Sequence, residues 1–547
     1  MALSPYDEVV NEVVERTLYL APVGENAPST QSNDRDGRLR RLKEQLSKPM
    51  PSDGVWGWLG PLLVTAIAAV LRFYQLGRPK RITLDETYYV KGGLSLWEFG
   101  FERDGVANAD KLLALGKTGI FETTADYVVH PMFGKWVIGA GIQLFGPNAF
   151  GWRFMVALLG TLAVFVIARI GRRMFRSTLI GCMAGLLLAI DGTAIVMSRI
   201  GMLDGVLAAL LVFAFGCLLV DRDKSRELLA HRMKFIEMGE NGLWQGAGPH
   251  LGVRPWRLAS GVFLGLALGT KWSALYFIVF FIILSVLWDA GARRRAGIGS
   301  PLLSAIKRDF IPAALSFGAL AAVVYVMTWG GWILTDGGWD RQWAADRTTS
   351  YPFIPDVIRS LWHYHVEMLK FHSSLTTSHP YESNAWGWLI QARPTAIYYS
   401  SNVSCGAAKC TSAITSIGNP MLWWAAVLAM GYLAIEWLGR RDWRAAAILG
   451  CIAAGWLPWV IFYNERTVFG FYTVVLSAFM ALAVAYCLGR ILGSANASPR
   501  RRTIGAGVVG AYLAIAVVAA AFFLPIWIAD PISYAEWGQR MWFKSWI

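Results

Sequence analysis

Leu84-Asp85-Glu86-Thr87-Tyr88-Tyr89 is the stretch from which the rest of the chain reads. Its adjacent carboxylates follow Lys80 and Arg81 and lie just past the first apolar segment, Val55 to Leu76. An acidic pair at the mouth of a membrane span can supply a catalytic base. It is also a common way to end a hydrophobic helix in water. Neighbouring side chains point about 100° apart on a helix and to opposite faces on a strand. Both carboxylates therefore cannot serve one atom equally. One reads as the base, the other as a structural or binding partner.

Outward from this motif, the chain is strongly apolar. Of its 547 residues 55% are hydrophobic and only 16% charged, with a mean hydropathy of +0.42. Soluble domains carry roughly 25% charged residues. Apolar runs recur along most of the length, which predicts an all-α polytopic membrane protein. Spans are expected near 56–77, 148–170, 178–192, 203–220, 256–270, 272–289, 310–333, 420–438, 445–462, 467–489 and 504–529, eleven in all.

The basic residues support that count. Arg172, Arg173 and Arg176, then Arg222 to Lys234, Arg293 to Arg295, Arg440 to Arg444 and Arg500 to Arg502 fall on one side. They do so only if the stretches 178–220 and 256–289 are each split in two. The net charge of +14 then reports topology rather than nucleic-acid binding. Residues 1–55 read as a cytoplasmic N-terminal segment without a secretory leader, their basic run Arg38 to Lys48 facing an anionic leaflet. Residues 530–547 read as an extracytoplasmic tail. No P-loop or dinucleotide fingerprint is present.

Two long outer loops are predicted, about 78–147 and 335–420, far longer than helix connections need. Within the first, His130 to Phe145 reads as an amphipathic segment lying in the interface. In the second, four residues separate Cys405 from Cys410, and a disulfide is expected if the loop faces an oxidising compartment. Cys182, Cys217, Cys451 and Cys487 lie in apolar runs and read as inert. Trp386 and Trp388 are expected at the interface.

Several charged residues interrupt apolar sequence. Arg153 begins the second span, where an arginine either snorkels or marks function. Arg199 and Asp204 flank an outer turn and read as a structural ion pair. Lys271 reads as a phosphate ligand or an interfacial anchor. Arg466 is another outer-face cation. His363, His365, His372 and His379 share the second loop, but no carboxylate or cysteine completes a metal set, so no metal or cofactor is expected. An acidic group and several cations at one membrane surface suit attack by a hydroxyl on a lipid-linked sugar phosphate. The carboxylate takes the hydroxyl proton, and the cations stabilise the departing phosphate.

These residues resemble the protein O-mannosyltransferases, a family of GT-C membrane glycosyltransferases. The resemblance covers about 56–529 and rests on Leu84 to Tyr89, His130-Pro131-Met132-Phe133-Gly134-Lys135, Arg153, Ser198-Arg199 with Leu203-Asp204, and Lys271-Trp272. In the second loop it rests on His372 to Thr376, His379-Pro380-Tyr381 and Trp386-Gly387-Trp388. It implies transfer of mannose, with inversion, from a polyprenyl phosphate to Ser or Thr of secreted or translocating proteins. It also implies Asp85 as the base, with Glu86, His130 and Tyr88 binding acceptor or positioning the site. Arg153, Lys271 and Arg466 would contact the donor phosphate.

Fungal and animal members carry a β-trefoil domain in the second outer loop, for which this loop is too short. The chain is thus similar to bacterial, especially actinobacterial, members in a plasma membrane. Membrane lipids and the translocation machinery are the further partners this implies. The alternatives are another GT-C transferase with a lipid or glycan acceptor, or a transporter. Clustering of polar groups at one surface, without a visible repeat, argues against transport.

Overall fold

The computed structural model describes residues 29–547 except 237–243, 245, 350, 464 and 495. Residues 1–28 of the expected N-terminal segment, and Asn464 beside Arg466, lie outside the described residues. Among these, nine helices are long and apolar enough to cross a membrane: Trp56–Phe73, Ala149–Phe175, Leu203–Phe235, Ala274–Arg295, Pro301–Thr328, Pro420–Arg440, Trp443–Phe462, Gly470–Leu492 and Pro499–Phe523. A tenth is a bent pair, Thr178–Ala189 and Gly192–Arg199, meeting at 61°.

The expected eleventh span, near 256–270, is only the 14-residue helix Pro255–Leu268. At 1.5 Å per residue it is about 21 Å long, short of a hydrocarbon core of about 30 Å. The eleven expected spans thus correspond to nine helices of spanning length, one bent pair and one short helix. The splits in both long stretches are present. The bend inside the pair comes from Asp191, whose Oδ2 accepts the Ala194 amide at 3.0 Å and caps the second half. Its Oδ1 accepts from the Asn419 amide and Trp423 Nε1 at 3.0 and 2.8 Å.

At one end of the bundle the basic clusters are tied to carboxylates. Arg172 pairs with Asp53, and Arg173 and Arg176 share Asp223. Arg254 bridges Asp221 and Asp289, and Arg293 holds Asp309. The two long loops gather at the other end. In the first, helices Glu86–Phe99 and Phe133–Phe145 cross so closely that a Cβ on Gly139 would collide with the Gly93 carbonyl. The second helix, at 13 residues, is too short to span. It packs against Glu86–Phe99 and Ala149–Phe175, with Lys135 buried and paired to Glu102.

The loops also carry two small antiparallel sheets that hydropathy does not reveal. Arg103–Gly105 pairs with Phe121–Ala125. Ala396–Ser400, Cys410–Thr415 and Ile532–Ser533 form the other. Cys405 and Cys410 are disulfide-bonded at the turn of its hairpin. Its third strand comes from the C-terminal tail, and Trp546 is buried with Nε1 donating to the Gln391 carbonyl at 2.8 Å. The tail and the second loop therefore share one end of the bundle. Trp388 is buried too, donating to Ser383 Oγ at 2.8 Å, whereas Trp386 is exposed.

Candidate active site

The two neighbouring carboxylates part as helical geometry requires. Glu86 is fully buried. Its Oε1 accepts from Arg153 Nε at 2.8 Å, the Gly201 amide at 2.8 Å and Trp152 Nε1 at 3.2 Å. Its Oε2 accepts from Arg153 Nη2 and from both the amide and hydroxyl of Thr83, each at 2.9 Å. Asp85 instead precedes helix Glu86–Phe99 without capping it. Leu84 just before it sits at φ 45°, a left-handed conformation that branched residues rarely adopt. The anchored Thr83 and Glu86 on either side hold that turn.

Among the described residues, the Asp85 carboxylate makes no hydrogen bond or ion pair. Burial pushes its carboxyl up from the ordinary aspartate range, while Lys271 and His379 pull the other way. A half-buried carboxylate without a partner is an available base.

Arg153 is not placed as a phosphate ligand. All five guanidinium N–H groups are taken: two by Glu86, and three by the carbonyls of Leu76, Pro79 and Arg81. It is fully buried, and it fixes the turn that presents Asp85. Glu86 is equally enclosed, with both oxygens occupied by protein donors. Arg199 and Asp204 do not pair either. Arg199 donates to carbonyls of Leu71, Arg72 and Tyr74 at the end of the first span. Asp204 accepts from Lys271 Nζ at 3.0 and 2.8 Å.

Beside Asp85 lies a cavity of about 410 Å³. Lys271, in the break after Pro255–Leu268, lines it together with Asp204, His130, His372 and Arg466. Its deeper wall is apolar, including Leu207, Leu268, Leu275 and Phe277. Asp85 lies outside the lining but within electrostatic range of Lys271 and Asp204. Among the described residues Arg466 has no carboxylate partner; its Nη2 donates to His372 Nδ1 at 3.2 Å, and its Nε is buried without an acceptor.

His372 donates from Nε2 to the Val129 carbonyl at 2.8 Å, so Nδ1 is free to accept from Arg466. Burial and the Arg466 charge lower its pKa to about 4. Burial and Lys271 likewise push His130 well below the usual histidine range. The imidazoles are neutral, and Arg466 is the uncompensated cation of the cavity. Tyr88 points outward and is 58% exposed.

The structure adds groups that sequence reading does not single out. Tyr325 accepts from Trp272 Nε1 at 3.0 Å and donates to His365 Nε2 at 2.6 Å. The other His365 nitrogen donates to the Leu361 carbonyl at 2.7 Å. Tyr276 and Tyr463 bond each other at 2.9 Å in the same wall. Their signal would have been tyrosines at the ends of apolar runs. His363 faces away, stacked on Trp343 and paired with Asp340, so the His-x-His pair is divided between two environments.

Residues 62–238 match the family model described as dolichyl-phosphate-mannose-protein mannosyltransferase. Residues 357–546 match that of the C-terminal four TMM region of protein-O-mannosyltransferase. The chain is 38% identical over 510 residues to a polyprenol-phosphate-mannose–protein mannosyltransferase of Mycolicibacterium smegmatis (strain MKD8), covering 91% of this chain and 94% of that protein. Identity is 37% to the protein of the same name from Mycobacterium tuberculosis (strain CDC 1551 / Oshkosh), over 91% of this chain and 93% of the relative. The fold matches the S. cerevisiae protein O-mannosyltransferase Pmt1–Pmt2 complex bound to its sugar donor, with a TM-score of 0.68 at 13% identity, covering 93% of this chain and 94% of that one. The bundle is thus the GT-C fold, and with matches of this extent at both ends of the sequence the chain belongs to the protein O-mannosyltransferase family.

Proposed function

We propose that this enzyme transfers mannose from polyprenyl-phosphate mannose to Ser or Thr hydroxyls of secreted or translocating proteins, with inversion and with Asp85 as general base. The observation that carries the reading is the unpartnered Asp85 carboxylate beside a cavity whose free cation is Arg466. The acceptor hydroxyl gives its proton to Asp85 as its oxygen attacks the anomeric carbon. The bond from that carbon to the phosphate oxygen breaks, and the polyprenyl phosphate leaves with the bonding pair. Arg466 meets the charge that develops there, while the apolar wall takes the first prenyl units. Lys271 is already neutralised by Asp204, so it contributes less. Tyr88, exposed next to the base, and the neutral His130 border the acceptor side.

Purified protein supplied with radiolabelled polyprenyl-phosphate mannose and a Ser/Thr-rich peptide should label the peptide, and a Ser/Thr-free peptide should stay unlabelled. Label passing only to lipid or glycan would reject the protein acceptor. Arg466→Gln should weaken donor binding roughly ten- to hundredfold, the usual worth of a hydrogen bond to a charged group, in a direct binding measurement.

The site end of the bundle faces the outside of a bacterial plasma membrane in this reading, because the basic clusters occupy the other end. In intact cells, an impermeant thiol reagent should label single cysteines introduced at Tyr88 and Trp386 but not at Arg294. Labelling of position 294 with protection of 88 would invert the topology.

A further inference from the structure

A second cavity, of about 380 Å³, opens at the opposite, basic end of the bundle. Nine Lys and Arg side chains line it, against three carboxylates, Asp223, Glu436 and Asp442. All three acids are already committed. Asp223 is shared by Arg173, Arg176 and Arg222. Glu436 takes Arg440 and Arg490, and Asp442 takes Arg444.

What remains is cationic and uncompensated. Arg226 is only 5% exposed, yet among the described residues none of its N–H groups has an acceptor. Arg295 and Arg441 face the same space from other helices without a carboxylate of their own. Trp443 closes one wall, with the Arg222 guanidinium stacked 3.4 Å from its ring centre. Elsewhere at this end Arg254 spends three nitrogens on Asp221 and Asp289, whereas Arg257, outside this cavity, also leaves Nε and Nη1 without an acceptor. A buried arginine without an acceptor costs several kcal/mol, and a cavity that gathers such charge is built for an anion absent from the protein itself.

We infer that this cavity is a binding site for a phosphate-bearing anion, separate from the catalytic site, and that the anion is the headgroup of an anionic phospholipid. Guanidinium groups from several helices suit phosphoryl oxygens. The position selects a lipid. Arg226 lies on the same helix as Asp204 of the catalytic cavity, 22 residues on, or about 33 Å along the axis. That is about one hydrocarbon thickness, which sets Arg226 at headgroup depth on the basic face.

The test uses the purified full chain in neutral detergent, reading its unfolding temperature and bound lipid by native mass spectrometry. The probes are dioleoylphosphatidylglycerol, dioleoylphosphatidylcholine and glycerol phosphate. Phosphatidylglycerol should bind and raise the unfolding temperature, as any ligand of the native state does; phosphatidylcholine should not. Arg226→Gln should weaken phosphatidylglycerol roughly tenfold. Without lipid it should unfold no lower than the wild type, since a neutral amide replaces an unpaired charge. Arg441→Gln, at an exposed position where folding is not at stake, should weaken the lipid as well. Equal response to phosphatidylcholine, or undiminished binding in both variants, overturns the site. A response to glycerol phosphate alone keeps the phosphate chemistry and overturns the lipid.

Discussion

Asp85→Asn loses transfer by about 10²–10⁴-fold, the usual worth of a general base, while donor binding survives. The amide keeps the shape of the carboxylate but cannot take the acceptor proton. Among the described residues the native carboxylate has no partner, so none of them is orphaned by the change. Stability should be unchanged or slightly raised, because a partly desolvated charge is removed. That separates a chemical defect from a folding one.

The pH profile carries the same signature. Burial holds the Asp85 carboxyl above its ordinary range, and the base works only when ionised. Single-turnover transfer should therefore fall on acidification at a higher pH than a free aspartate, near 3.9, would give. The Asn variant should lack that limb. Near-normal turnover in Asp85→Asn would dismiss it as the base and pass the role to another group around the cavity.

The different surroundings of Asp85 and Glu86 are legible because adjacency alone forces the side chains apart. The positions of the helices were legible for the same kind of reason, since hydrophobic runs and basic loops are local signals. Partnerships were not. Glu86 and Arg153 are 67 residues apart, as are Asp204 and Lys271, and no local pattern joins them. Asp204 therefore looked like the partner of nearby Arg199, whose donors in fact close the end of the first span. Arg153 looked like a phosphate ligand because an arginine at a membrane edge advertises function. Its burial and five committed donors emerge only when the loop folds back over it. The helix Pro255–Leu268 is legible from its apolar run, but its shortness is not, since the run alone does not mark where the helix ends.

Those committed donors make the second large expectation. Arg153→Ala removes the one full charge that faces Glu86 among the described residues and orphans the carbonyls of Leu76 and Arg81. Breaking a buried, hydrogen-bonded ion pair from one side typically costs about 3–5 kcal/mol, a large part of the stability of a folded chain. The variant should unfold at a markedly lower temperature and accumulate poorly. Glu86→Gln should be destabilised too, since it leaves the Arg153 charge buried without its counterion. The double variant Glu86→Gln with Arg153→Gln should lose less than the sum of the singles, because neither retains an uncompensated charge; a double-mutant cycle measures that coupling.

Donor affinity per folded molecule is the deciding measurement. If Arg153 organises the Asp85 turn, folded Arg153→Ala should bind donor almost normally and transfer slowly. If the variant instead kept its unfolding temperature and lost donor affinity, Arg153 would be a phosphate ligand after all, and the closed cage around its guanidinium would have to open for the donor.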